Sequence, residues 1–134
     1  MSQPAVLNCR TAETLKDWVE DDLIKTIGRH GGGLARIEVA AHYSCRTRNN
    51  RAGAKVSEHG KGNAIDLRGF RLKNGETLTV LDGWGRGKEG RILKKLHKSA
   101  CGPFGTVLGP NSDRYHQDHF HFDTAQYRGG SYCR

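Results

Sequence analysis

His116-Gln117-Asp118-His119-Phe120-His121-Phe122-Asp123 alternates polar and aromatic side chains with a period of two. Successive residues of a strand point to opposite faces. The segment therefore reads as a strand over 118–123. Phe120 and Phe122 enter a core, and His119, His121 and Asp123 share the other face. A second stretch completes the pattern: Ser57-Glu58-His59-Gly60-Lys61-Gly62-Asn63-Ala64-Ile65-Asp66. Gly60 and Gly62 permit backbone angles closed to other residues, so the chain can fold back between His59 and Asp66. Brought together, His59, Asp66 and His121 form a His, Asp, His set. Three N/O ligands with one open position is the form of a catalytic zinc site. The same donors also suit Mn, Fe or Co.

Outward from these stretches, apolar residues at three- and four-residue steps (Leu15, Trp18, Val19, Leu23, Ile24, Ile27) predict a helix over 11–27, capped by Asn8 or Thr11. Strands are expected at 34–43, 64–70 and 77–81, the last two joined by the turn Lys73-Asn74-Gly75. Residues 46–55 read as a cationic loop. Residues 88–100 read as a helix with Ile92, Leu93 and Leu96 on one side, followed by the breaker Gly102-Pro103 and a strand near 104–108. The expected fold is α+β: a small antiparallel sheet carrying a metal site, flanked by helices, in a single domain spanning 1–134.

Composition narrows the function. The chain has 134 residues, 22 Lys and Arg against 14 Asp and Glu, a net charge of +8, 18 Gly and 35% apolar residues. No apolar run approaches the ~20 residues of a membrane span. The N-terminal residues lack the basic and apolar regions of a signal peptide. The basic surface suits an anionic matrix, or nucleic acid. The basic residues are scattered, however, and no nucleic-acid motif is present, so a metal-dependent nuclease is the weaker expectation. Cys9, Cys45, Cys101 and Cys133 form no C-x-x-C pair. Two disulfides are expected, with Cys9–Cys45 and Cys101–Cys133 favoured among three connectivities. Disulfides imply an oxidising compartment, hence export.

The pattern S-x-H-x-x-G-x-A-x-D followed by H-x-H resembles the metallopeptidase group of lysostaphin, the D-alanyl-D-alanine carboxypeptidases, penicillin-insensitive murein endopeptidase and the hedgehog domain. Tyr43-Ser44-Cys45-Arg46, Ala100-Cys101, Thr106-Val107-Leu108-Gly109-Pro110 and Tyr132-Cys133-Arg134 are closer still to the bacterial extensin-like C-terminal domain. The resemblance implies one Zn²⁺ per chain on His59, Asp66 and His121. It implies His119 as the catalytic base, with Asp118 as its rival. On a regular strand Asp118 points away from the site, which ranks it second. His116 and Arg46 are implied as further active-site groups that stabilise oxyanion charge. Ser57 and Asp123 are candidates for holding ligand histidines. The implied activity is hydrolysis of an amide in peptidoglycan, as a D,D- or L,D-endopeptidase or carboxypeptidase of the periplasm or cell envelope, acting as a monomer. The alternative is a catalytically silent, zinc-containing wall-binding module. Neither specific nucleic-acid binding nor a membrane span is expected.

Overall fold

The structure, a computed structural model, describes residues 1, 5–42, 58–125 and 129–134. Cys45, Arg46 and Ser57 lie outside the described residues, and with them the expected loop at 46–55.

The first helical stretch is not one continuous α-helix. Helix α1 spans Cys9–Trp18, a π turn covers Val19–Leu23, and α2 spans Ile24–Ile27. Strict α spacing from Leu15 and Trp18 would turn Asp22 inward. The π turn inserts one residue, so Leu23 and Ile27 take the core face instead, and Ile24 is exposed. Asn8 is the N-cap: its side chain accepts from the Thr11 N–H at 2.8 Å.

Strand β1 (Leu34–Ala41) pairs antiparallel with β2 (Ala64–Leu72). Strand β2 in turn pairs antiparallel with β3 (Thr77–Thr79), across the predicted turn, and with β5 (Phe120–Asp123). The strand expected to reach residue 81 stops at Thr79, whose hydroxyl accepts from the Asp82 N–H and starts helix α3 (Val80–Gly83). Helix α4 (Gly87–Ala100) lies where 88–100 predicts it. Strand β4 (Thr106–Leu108) is antiparallel to β5, but β6 (Tyr132–Cys133) runs parallel to β4. The sheet is therefore mixed, not antiparallel as expected, with order β1-β2-β5-β4-β6 and β3 on β2. The physical reason lies in the connection after β5. The chain passes the start of β4 and pairs on its far side, so it ascends in the same direction as β4. That passage needs Gly105, where an added Cβ would sit 1.9 Å from the Ala125 carbonyl oxygen.

The core fills one side of the sheet. Trp18 packs edge-on against Phe122 at 5.1 Å, and its indole N–H donates to the Ser99 hydroxyl at 2.9 Å, joining α1 to α4. Trp84 packs on Phe120 at 5.7 Å and His97 at 5.6 Å. No helix among the described residues is long and apolar enough to cross a membrane.

Cys101, just after α4, is bonded to Cys133 on β6 across a sequence separation of 32. The Cys9–Cys45 pairing involves a residue outside the described set; Cys9 is exposed. Closing a loop of that length removes enough unfolded-chain entropy to stabilise the fold by roughly 3–4 kcal/mol. The double substitution Cys101→Ser, Cys133→Ser should lower the urea unfolding midpoint accordingly. An unchanged midpoint would show that β6 contributes nothing to global stability.

Candidate metal centre

The turn that carries His59 is built by backbone and amide bonds. Glu58–Lys61 forms a 3-10 turn that buries His59. The chain then reverses at Gly62, which sits at φ +71° and whose N–H donates to the His59 carbonyl at 3.2 Å. Of the two glycines expected to adopt unusual angles, only Gly62 has a positive φ. Asn63 locks the turn in place. Its amide donates to Glu58 Oε2 at 2.8 Å, its Oδ1 accepts from the Asn8 amide, and its carbonyl accepts from the Thr124 N–H. The helix cap, the turn and the end of β5 thus share one residue.

Strand register does the rest. Asp66 on β2 lies directly opposite His121 on β5. His59, Asp66 and His121 each offer a ligand atom within 4.8 Å of the others, a group able to hold a metal ion. His59 Nε2 is 3.2 Å from Asp66 Oδ2, and His121 Nδ1 is 3.0 Å from Asp66 Oδ1. The outer partners fit a metal. His59 Nδ1 faces the His42 carbonyl at 2.8 Å, and His121 Nε2 faces Asp123 Oδ2 at 2.7 Å. Each contact holds one ring nitrogen as N–H and leaves the other, unprotonated in the neutral ring, aimed at the centre. Asp123 therefore takes the supporting place foreseen for it. The His42 carbonyl was not foreseen, because a backbone group leaves no mark in the residue type.

The flanking groups assemble on one side. His119 precedes β5, so strand alternation does not govern Asp118. Its carboxylate turns back onto His119 Nδ1 at 2.7 Å, while His119 Nε2 stands 3.6 Å from Asp66 Oδ2. The expectation from strand alternation does not apply at Asp118, whose exposed carboxylate bonds the His119 nitrogen remote from Asp66 and forms a hydrogen-bonded pair with that ring. His116 stacks near His119 at 5.1 Å and His121 at 5.8 Å, with Nδ1 on Asp113 Oδ1 at 2.7 Å.

Electrostatics follow from this packing. Burial alone would raise the Asp66 pKa, but hydrogen bonds and positive charge from His121 and His59 outweigh it and hold the carboxyl well below the usual range. Burial disfavours the charged His121 ring, yet Asp123 and Asp66 overcome this and push its pKa up to about 9. Burial lowers the pKa of His116, with Asp113 opposing.

The family model "Extensin-like protein C-terminus" matches residues 1–134, and the chain belongs to that family. No curated protein and no solved structure matches it.

In the metal-free protein the His121 pKa lies above its ordinary value. The stabilisation from its two carboxylates is thus complete below about pH 6.5 and is lost as pH rises through about 9. A metal must displace that proton. Affinity for one divalent ion per chain should therefore climb close to tenfold per pH unit from 6.5 towards 9, with proton release seen by calorimetry in buffers of different ionisation enthalpy. His121→Ala should abolish stoichiometric binding. Equal metal content in that variant would remove the centre from consideration.

Proposed function

We propose that the chain is a zinc peptidase that hydrolyses an amide in the peptide stems or cross-links of peptidoglycan, with endopeptidase action favoured. The observation that carries this reading is the buried His59, Asp66 and His121 group with the Asp118–His119 pair beside it. The resemblance of the His59–Asp66 and His119–His121 motifs to those of the lysostaphin and murein endopeptidase group supports the substrate class. The Cys101–Cys133 disulfide fits an oxidising compartment, and so a periplasmic or envelope location.

His59 Nε2, Asp66 and His121 Nδ1 would hold the ion. Zinc there would polarise the scissile carbonyl and lower the pKa of an attacking water. His119 Nε2 faces the centre and accepts the proton lost by water as its oxygen bonds the carbonyl carbon. As the C–N bond breaks, the same nitrogen returns that proton to the leaving amine. Asp118 is a positioning residue: it fixes the proton on Nδ1, which leaves Nε2 as the acceptor. His116 stands against the His119 and His121 rings, where a hydrogen bond to the developing oxyanion is within reach. Arg46, outside the described residues, shares that role.

The test uses purified murein sacculi incubated with zinc-loaded protein, chelated protein, His121→Ala and His119→Ala. Muropeptides should appear only with metal and His121 both present. His119→Ala should keep its zinc and lose roughly 10²–10⁴-fold in rate. A wild-type protein with one zinc that binds sacculi and releases nothing would replace the peptidase reading with a wall-binding module.

A further inference from the structure

The sheet face that carries the metal centre continues beyond it. Along β2 the core takes Ile65, Leu67, Phe70 and Leu72. Asp66, Gly69 and Arg71 belong to the opposite face, with Arg68 bulged between the Val39↔Leu67 and Glu38↔Gly69 pairs. Gly69 lies between Glu38 and Thr79, and Arg71 between Arg36 and Thr77. The result is an open groove of about 620 Å³ lined by Arg36, Glu38, Arg68, Arg71, Thr77 and Thr79. At ~3.3 Å per strand residue, it runs from Arg68, roughly 7 Å from Asp66, to Arg71, roughly 16 Å away.

Its charge is unbalanced. Arg36 Nε is taken by Glu38 Oε1 at 3.1 Å. The Arg68 guanidinium reaches the Val39 carbonyl at 3.5 Å. Among the described residues, neither Arg68 nor Arg71 forms an ion pair. All 14 Asp and Glu of the chain are among those residues, so no acidic side chain elsewhere can supply the countercharge.

We infer that this groove is a binding site for carboxylate-bearing peptide, held by Arg68 and Arg71 in extended conformation with its scissile amide at the metal centre. The inference rests on the peptidase reading and adds a substrate requirement to it. The guanidinium fork matches a carboxylate in two parallel hydrogen bonds, and the Thr77 and Thr79 hydroxyls offer further polar contacts on the β3 side. The distance from Asp66 sets the carboxylate about two to five extended residues from the bond cut. A nucleic acid is a poorer occupant. Its phosphate track needs a broader run of cations, and the groove lining has no aromatic side chain to stack a base.

The test titrates the zinc-loaded protein with a fluorescein-labelled murein stem peptide carrying free carboxylates, and with its fully amidated counterpart. Wild-type protein should bind the acid form at least tenfold more tightly, with the preference shrinking as salt is raised. Arg68→Gln, Arg71→Gln together should erase the preference while zinc content and thermal unfolding stay unchanged. Arg71→Gln alone, at an exposed position, should reduce it in part and keeps the test valid should the double variant fold poorly. Equal binding of acid and amide peptides by wild-type protein would overturn the inference. So would displacement of the acid peptide by a short DNA duplex at matched charge. Sacculi separate the two readings. Arginine-dependent peptide binding without fragment release keeps the groove and removes the peptidase. Fragment release at the wild-type rate from the double variant, together with equal binding of acid and amide peptides by the wild-type protein, keeps the peptidase and removes the groove.

Discussion

The pairing register between β2 and β5 is the constraint on which this protein depends. Ala64, Ile65, Asp66 and Leu67 face Asp123, Phe122, His121 and Phe120 in turn. With a period of two, that register puts Ile65, Leu67, Phe120 and Phe122 on the core side and Asp66 and His121 on the other. A slip by one residue would drive a carboxylate and an imidazole into the core and present two phenylalanines to solvent. Burying an unpaired charge costs several kcal/mol, and each displaced aromatic forfeits ~2–3 kcal/mol of transfer energy. The hydrophobic effect that forms the core thus also assembles the candidate metal group, with no separate device to bring Asp66 to His121.

The centre keeps its charges tolerable by sharing them. Asp66 is buried between two imidazoles, and His121 between two carboxylates. A buried ionised group survives only when it is paired and hydrogen-bonded, and here each group has two partners. Removing any one leaves a neighbour uncompensated, so the cluster is fragile to substitution. The outer anchors come from three separate elements. The His42 carbonyl lies at the end of β1, Asp123 at the end of β5, and Asn63 ties the His59 turn to the cap of α1. Ring orientation is therefore coupled to the packing of β1, β5 and the cap of α1.

What was legible in the sequence follows from how local its cause is. The F-H-F-D alternation reveals β5 and both of its faces, because strand alternation is a local rule. The His59 to Asp66 spacing reveals the turn for the same reason, through Gly62. The π turn is less legible. An apolar pattern at three and four residues is what an unbroken helix also gives, and only the inward position that strict α spacing would assign to Asp22 marks the extra residue. Strand β6 is two residues long, and its parallel pairing is set by where the chain passes Gly105 and by a disulfide to α4. The Asp118–His119 contact escaped because β5 begins at Phe120, two residues later than the expected strand over 118–123. Once outside the strand, Asp118 is free to fold back onto its neighbour.

A sheet with one covered face has a consequence for chemistry. Helices α1, α2 and α4 supply buried side chains to one side, leaving the other for polar residues at every second position. On β2 this outer row runs from Asp66 to Arg71, so the carboxylate of the candidate metal group and a cationic groove lie along one strand. The bulge at Arg68 keeps both on the same face. Without it, strict alternation from Asp66 would send Gly69 and Arg71 inward and Phe70 outward. One inserted residue thus preserves the aromatic core at Phe70 and the arginine on the open face at once. An extended chain laid along this row would meet the guanidinium groups and the metal-binding group in a single straight path.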